Sequence, residues 1–189
     1  ISQLTDTQKE LKEKIEEKDK QMMIDDLTSI YNKLAYEREI DSLYSWWLKN
    51  KNENLHVAVL DIDHFKSVND KLGHDIGDII LREVDLYMRR IIGPKGMLYR
   101  WGGEEFVVII PELDLKDSIE VLKKTRIYFQ DNPVKMINHA PVPITISGGI
   151  ASFFNQEDTP EIIFKKADSA LYFSKNNGRN KISFCKKRK

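Results

Sequence analysis

Three short runs of this 189-residue chain carry side chains able to do chemistry. The first is Val59-Leu60-Asp61-Ile62-Asp63-His64-Phe65-Lys66. Asp61 and Asp63 stand two residues apart, so in an extended strand both carboxylates leave on one face. Two such groups repel unless a cation or a basic group lies between them. The same pair also reads as solvated acids at a strand end, or as a cap for a helix starting near His64. The second run is Arg100-Trp101-Gly102-Gly103-Glu104-Glu105-Phe106. Its glycines suit a tight turn and leave backbone bare enough for a ligand to approach. The two acids that follow read either as edge charges that deter strand pairing or as metal ligands. Mg²⁺ takes hard oxygen ligands, typically one or two carboxylates, and leaves its other positions to water and phosphate. Asp61 from one strand and Glu104 from a neighbouring hairpin could form that half-cage. The loop after Asp63 could then present backbone amides at a helix start to phosphates. The third place joins Asn69–Asp78 to the distant stretch Ala170–Asn180. Asp75 and Asp78 sit at a helix start, while Lys175 and Arg179 flank a helix end. Each is favoured there by the helix dipole alone, so neither segment carries an assignment by itself.

The elements that must position these groups follow from periodicity. The pattern predicts a helix over about Ile30–Asn50, in which the Trp46–Trp47 doublet reads as core plus edge rather than as a ligand platform. A β-branched strand follows over Leu55–Asp63. A helix over about Asp75–Ile91 shows a 3.6-residue stripe at Ile76, Ile79, Ile80, Val84, Tyr87, Met88 and Ile91. Met97–Trp101 and Glu104–Ile110 flank Gly102–Gly103 as a hairpin with a two-residue turn. A helix near Leu115–Gln130, a strand near Ile144–Ala151, a helix over Thr159–Asn176 and a short strand near Lys181–Phe184 complete the chain. This order implies an α+β fold with a mostly antiparallel sheet.

Composition narrows the function. Thirty Lys and Arg balance thirty Asp and Glu, which removes the broad basic face of a nucleic-acid binder. No apolar run approaches the roughly 20 residues needed to span a bilayer, and no signal-peptide pattern is present. The single cysteine, Cys185, excludes an internal disulfide framework and suits a reducing, cytoplasmic setting. Charged residues make up 32% of the chain, and part of that excess lies at the front. Residues 1–24 hold five lysines and six acids without Gly, Pro or aromatic residues. Taking Ile1 as position a puts Ile1, Leu4, Gln8, Leu11, Ile15, Lys18 and Met22 on one heptad seam. That segment reads as a connecting helix forming a short parallel coiled coil, or else as an amphipathic helix lying on its own domain. Gln8 and Lys18 would weaken such a coil. The chain opens on Ile1 rather than Met, which reads as a piece of a longer protein. Residues 25–185 form the expected catalytic unit, and 186–189 a solvated basic tail.

Taken together, Asp61-Ile62-Asp63-His64-Phe65-Lys66, Asn69-Asp70, Gly73-His74-Asp75, Gly77-Asp78 and Arg100-Trp101-Gly102-Gly103-Glu104-Glu105-Phe106 resemble the GGDEF-domain diguanylate cyclases in their GGEEF form. The opening Asp26-Leu27-Thr28 with Asn32 resembles that family's DxLT…N start. The run Ala167-Asp168…Ala170-Leu171-Tyr172…Lys175…Gly178-Arg179-Asn180 resembles its last helix. The resemblance covers about residues 24–184.

It implies a palm-like fold with a ferredoxin-like core, similar to nucleotide polymerases and class III adenylyl cyclases. It also implies condensation of two GTP into cyclic di-GMP across a homodimer, with Mg²⁺ as cofactor, for which Mn²⁺ can substitute. Position by position, Asp61, Glu104 and the carbonyl of Ile62 match the metal ligands. Glu104 matches the group proposed to help deprotonate the attacking hydroxyl, and Lys66 is counted with Asp61 and Glu104 as catalytic. The amides of His64, Phe65 and Lys66 match the phosphate loop, and Lys175 and Arg179 the triphosphate contacts. Asn69 and Asp78 match the guanine contacts, with His74 among the substrate-binding residues. The homodimer would form through residues 1–24 and an upstream sensor. One departure is plain: Gly93 and Gly96 stand where many members carry an Arg-x-x-Asp product-inhibition site, so little inhibition is expected there. Milder departures are Ser174 in place of alanine and His64 in place of an aromatic. A silent nucleotide-sensing module, a scaffold dimerised by residues 1–24, and a cyclase of mixed nucleotide product are the alternatives.

Overall fold

A computed structural model describes residues 2–50, 53–136 and 139–185. Ile1, the side chain of Leu4 and the tail 186–189 lie outside the described residues. The elements run α1 Ser2–Gln21, β1 Tyr31–Asn32, α2 Lys33–Lys49, β2 Leu55–Ile62, α3 Phe65–Leu72, α4 His74–Ile92, β3 Met97–Gly102, β4 Glu105–Pro111, α5 Leu115–Asp131, β5 Ile146–Ser152, α6 Pro160–Asn176 and β6 Ile182–Phe184. The strands form one sheet in the order β1-β3-β4-β2-β5-β6. Pairing is antiparallel for β3–β4, β4–β2 and β2–β5, and parallel at the two edges, β1–β3 and β5–β6. The fold is mixed α+β with helices on both faces, as the sequence implies.

Strand β2 runs between β4 and β5 and is buried along all eight residues. Its alternating side chains feed two cores. Ala58, Leu60 and Ile62 pack with the α4 stripe Ile76, Ile80, Val84 and Met88 and with Leu122 and Phe129 of α5. Leu55, Val57 and Val59 pack with Tyr36, Ile40 and Trp47 of α2 and with Ile163, Ala167 and Leu171 of α6. Trp47 is buried and Trp46 half-buried, in line with core plus edge. Where α6 crosses β5, a Cβ on Gly149 would overlap the Ala167 carbonyl oxygen and the Leu171 amide nitrogen. Helix and strand therefore meet backbone to backbone.

Several boundaries differ from the sequence expectation. The helix expected from Ile30 starts at Lys33, because Tyr31–Asn32 pairs in parallel with Tyr99–Arg100. Asn32 then caps α2, its side chain accepting from the Ala35 amide at 3.2 Å. Helix α3 is separate from α4, broken at Gly73 with φ 90°. In the hairpin, Gly102 pairs with Glu105, so the tip is Gly103–Glu104 rather than Gly102–Gly103. Leu11 and Ile15 on α1 and Met22 just past its end are 60, 55 and 63% exposed, so these seam residues are not covered by the rest of the chain. Among the described residues, no helix is long and apolar enough to cross a membrane.

His56 sits near the start of this buried strand, 2% exposed. Its Nε2 donates to the Leu113 carbonyl at 2.8 Å, leaving Nδ1 to accept from the Ser152 hydroxyl at 2.7 Å. Burial holds its pKa below the usual imidazole value. Asp85, also buried, behaves oppositely: burial raises it to about 6 against the pull of Arg89, so protonation relieves rather than strains the fold. For His56 the unfolded chain binds the extra proton first, so its contribution is complete above about pH 6.5 and fades below. The stability gap between wild type and His56→Gln should be roughly 1–3 kcal/mol at pH 8. Urea titrations across the pH range should show that gap narrowing as the pH falls below about 6.5.

Candidate active site

The site forms where β2 ends. Asp61 pairs in register with Glu105 on β4 and Ser147 on β5, which fixes its backbone from both sides. Its side chain is 6% exposed and meets Lys175 Nζ, on the last turn of α6, at 2.8 Å. Burial pushes the Asp61 carboxyl up to about 6; Lys175 opposes the shift, and Glu104 and Glu105 add to it. A carboxylate raised by burial with further negative charge beside it has electrostatic room for more positive charge than one lysine supplies.

Glu104 is held at the hairpin tip through its own carbonyl and through the turn behind it. The Ile62 amide donates to the Glu104 carbonyl at 3.3 Å, tying the tip to the end of β2. Behind it, Arg100 Nη2 donates to the Gly103 carbonyl at 2.9 Å and Nη1 pairs with Asp25 at 2.8 Å. The tip requires positive φ at Gly102 and Gly103, 154° and 53°. Asp25 also accepts from the Thr28 amide and hydroxyl at 2.9 and 2.6 Å. Burial alone would raise Asp25, but hydrogen bonds from Thr28 and Arg100 outweigh it and hold the carboxyl below its usual range. The carboxylate serving Thr28 is thus Asp25, whereas Asp26, singled out in the sequence, is exposed.

Beyond β2, His64 adopts the left-handed region at φ 58° and starts α3. The Ser67 and Val68 amides return to its carbonyl at 2.9 and 3.3 Å. The first-turn amides of Phe65 and Lys66 precede any intrahelical acceptor, the arrangement that suits an anion. Phe65 is buried as an anchor, while His64 and Lys66 are exposed. Further on, Asn69 lies so close to α4 that a Cβ on Gly77 would overlap its amide oxygen. That oxygen is buried with no hydrogen-bond partner. Asp78 follows Gly77 and is half-buried, while His74 is exposed at the start of α4. Arg179 lies just past α6 at φ 57°, its amide on the Ser174 carbonyl at 3.0 Å.

Asp61 and Asp63 do not share a cation. Asp63 is taken up by the Thr145 and Ser147 hydroxyls, both at 2.7 Å, and by the Asn180 amide at 3.0 Å. Asn180 in turn accepts from Arg126 Nη1 at 2.9 Å and donates to Gln130 at 2.9 Å. This clamp ties the loop after β2 to β5 and to the segment carrying Arg179. Sequence reasoning quoted Asn180 within a motif without giving it a role, and missed Asp25; two consecutive non-glycine residues at positive φ, Arg179 and Asn180, mark the former only in the folded chain. Among the described residues, no three His, Cys, Asp or Glu side chains gather as a metal cluster.

A two-faced helical cover over a six-stranded mixed sheet, with the charged site at the end of its central strand, defines a palm-like domain. Residues 22–181 match the family model "Diguanylate cyclase, GGDEF domain", and the chain belongs to that GGDEF family. It is 34% identical over 159 residues to the response regulator PleD of Caulobacter vibrioides, covering 84% of this chain and 35% of PleD. It is 35% identical over 162 residues to the probable diguanylate cyclase DgcF of Escherichia coli K12, covering 84% of this chain and 50% of that protein. The chain thus spans half or less of the length of these curated relatives. The coiled coil and GGDEF domain of DgcB from Caulobacter crescentus, crystallised in complex with c-di-GMP, superposes with a TM-score of 0.86. The identity is 30%, and 97% of each chain is covered.

Removing the Asp63 carboxylate strands a part-buried backbone amide and two hydroxyls. Asp63→Ala should lower stability by roughly 2–3 kcal/mol in chemical denaturation. Asp26→Ala, at an exposed position, should change it by no more than about 0.5 kcal/mol.

Proposed function

We propose that this chain is a diguanylate cyclase that condenses two GTP into cyclic di-GMP, releasing two pyrophosphates. The observation that carries the reading is the buried Asp61, set beside Lys175 and near Glu104, where the signature hairpin meets the end of β2. Family membership and the diguanylate cyclases among the relatives support the same activity.

Each domain holds one GTP, and two domains face each other so that the 3′-hydroxyl of one nucleotide attacks the α-phosphorus of the other. Asp61, Glu104 and the carbonyl of Ile62 would hold Mg²⁺, with Mn²⁺ as substitute. The raised, crowded Asp61 carboxyl fits that use. When bound, such a cation polarises the phosphoryl oxygens and offsets their charge. The amides of His64, Phe65 and Lys66 cradle the phosphates, and Lys175 and Arg179 neutralise the triphosphate tail. Lys66 adds its exposed ammonium at the same loop. Glu104 is assigned to help take the proton of the attacking hydroxyl. Asn69, with its unpartnered amide oxygen, and Asp78 read the guanine, and His74 borders that subsite. A carboxylate at Asp78 accepts from guanine N1–H and the exocyclic amine, two donors that adenine lacks at those positions.

The two domains are brought together through residues 1–24 as a parallel coiled coil under an upstream sensor. The exposed Leu11, Ile15 and Met22 seam favours that role. Gly93 and Gly96 supply no guanidinium or carboxylate to grip product at the Arg-x-x-Asp position, so inhibition through that site is weak.

Incubation with GTP and Mg²⁺, at concentrations where the chain dimerises, should yield cyclic di-GMP on chromatography. Glu104→Ala should lose roughly 100-fold or more of the rate while keeping fold and dimer. Absence of any cyclic dinucleotide from wild type would overturn the assignment. Asp78→Ser should lower the preference for GTP over ATP roughly 10- to 100-fold, read as a ratio of kcat/KM; unchanged selectivity would remove Asp78 from the guanine site.

A further inference from the structure

Lys175 and Asp61 form a contact that the catalytic reading leaves unexplained. If Lys175 serves only the triphosphate, its ammonium has no reason to sit 2.8 Å from a carboxylate oxygen of the proposed metal ligand. Yet the carboxylate is almost sealed, at 6% exposure, while the lysine side chain keeps 32% of its surface. The charge that cannot move is Asp61, fixed in the sheet. The charge that can move is Lys175, a flexible stem with three donors at the end of a helix. Glu104 and Glu105 add further negative potential at the same point.

We propose that Lys175 is a resident counter-ion, neutralising Asp61 where a divalent cation would otherwise bind and leaving it only when a triphosphate offers the ammonium a better acceptor. This rests on the reading of Asp61 as a metal ligand. A dication and an ammonium on one carboxylate repel each other strongly at such short range. Without nucleotide, the lysine therefore suppresses metal binding. With nucleotide, the phosphates draw the ammonium away, and the same lysine favours loading. Metal and nucleotide enter as a unit, and the site avoids holding a bare cation.

The test turns on opposite signs in one variant. Mn²⁺ binding to the full chain is measured at pH 8 by electron paramagnetic resonance. Titrations are run with Mn²⁺ alone and with a GTP analogue carrying a methylene between the α- and β-phosphorus. Wild type should bind Mn²⁺ weakly alone and more tightly with the analogue. Lys175→Met should bind Mn²⁺ alone roughly tenfold more tightly, yet lose affinity for the Mn²⁺–analogue pair. Asp61→Asn should lose binding in both titrations. Should Lys175→Met not fold, Lys175→Gln carries the same expectation. Unchanged or weaker binding of Mn²⁺ alone by the folded variant overturns the counter-ion role. Failure of wild type to bind Mn²⁺ even with the analogue overturns instead the reading of the site.

Discussion

A negative charge buried at the end of the central strand governs the rest of this molecule. Asp61 is held by backbone pairing on both flanks, so it cannot turn out to solvent as a surface acid would. A carboxylate so placed is costly unless positive charge meets it. That requirement fixes the last turn of α6, which must deliver Lys175, and hence the way α6 lies along β5. It also explains why a second acid, Asp63, two residues on, is satisfied differently, by hydroxyls and an amide instead of a cation. The two acids are kept electrically separate although they leave the same strand end.

The hairpin follows from the same geometry. Its tip lies against the end of β2, bringing the charges of Glu104 and Glu105 near Asp61, and a glycine-rich turn alone is too loose to hold it there. Arg100 grips the Gly103 carbonyl and Asp25 together, while the Ile62 amide holds the Glu104 carbonyl from the front. One carboxylate, Asp25, thereby serves both the turn that leads out of α1 and the turn that carries the signature acids.

Much of this was legible in the sequence, and the rest was not, for physical reasons. The α4 stripe could be read because burial of one helix face imposes a period, and β2 because burial of both strand faces gives a near-continuous apolar run. Strand β1 is too short to show one; two residues at a sheet edge are stabilised by pairing with β3 and not by their own pattern. The hairpin was legible but its tip was misplaced by one residue, because Gly102 continues the strand pairing through an irregularity after Arg100. Asp25 and Asp26 are indistinguishable as neighbouring acids until Arg100 arrives from 75 residues away. The spacing of Asp61 and Asp63 said correctly that both point to one region. It could not say that the donors to Asp63 come from 82, 84 and 117 residues downstream.

The bare contact of α6 on Gly149 sets more than packing. With no side chain between helix and strand, the gap separating the lysine's helix from the aspartate's sheet is set by hard atomic contact. Attraction between the two charges then has little slack to take up, and the pair is gauged by backbone thickness. One added methyl group would act as a wedge at the middle of the helix. It would tilt the ammonium away from the carboxylate while leaving every charged residue of the site in the sequence.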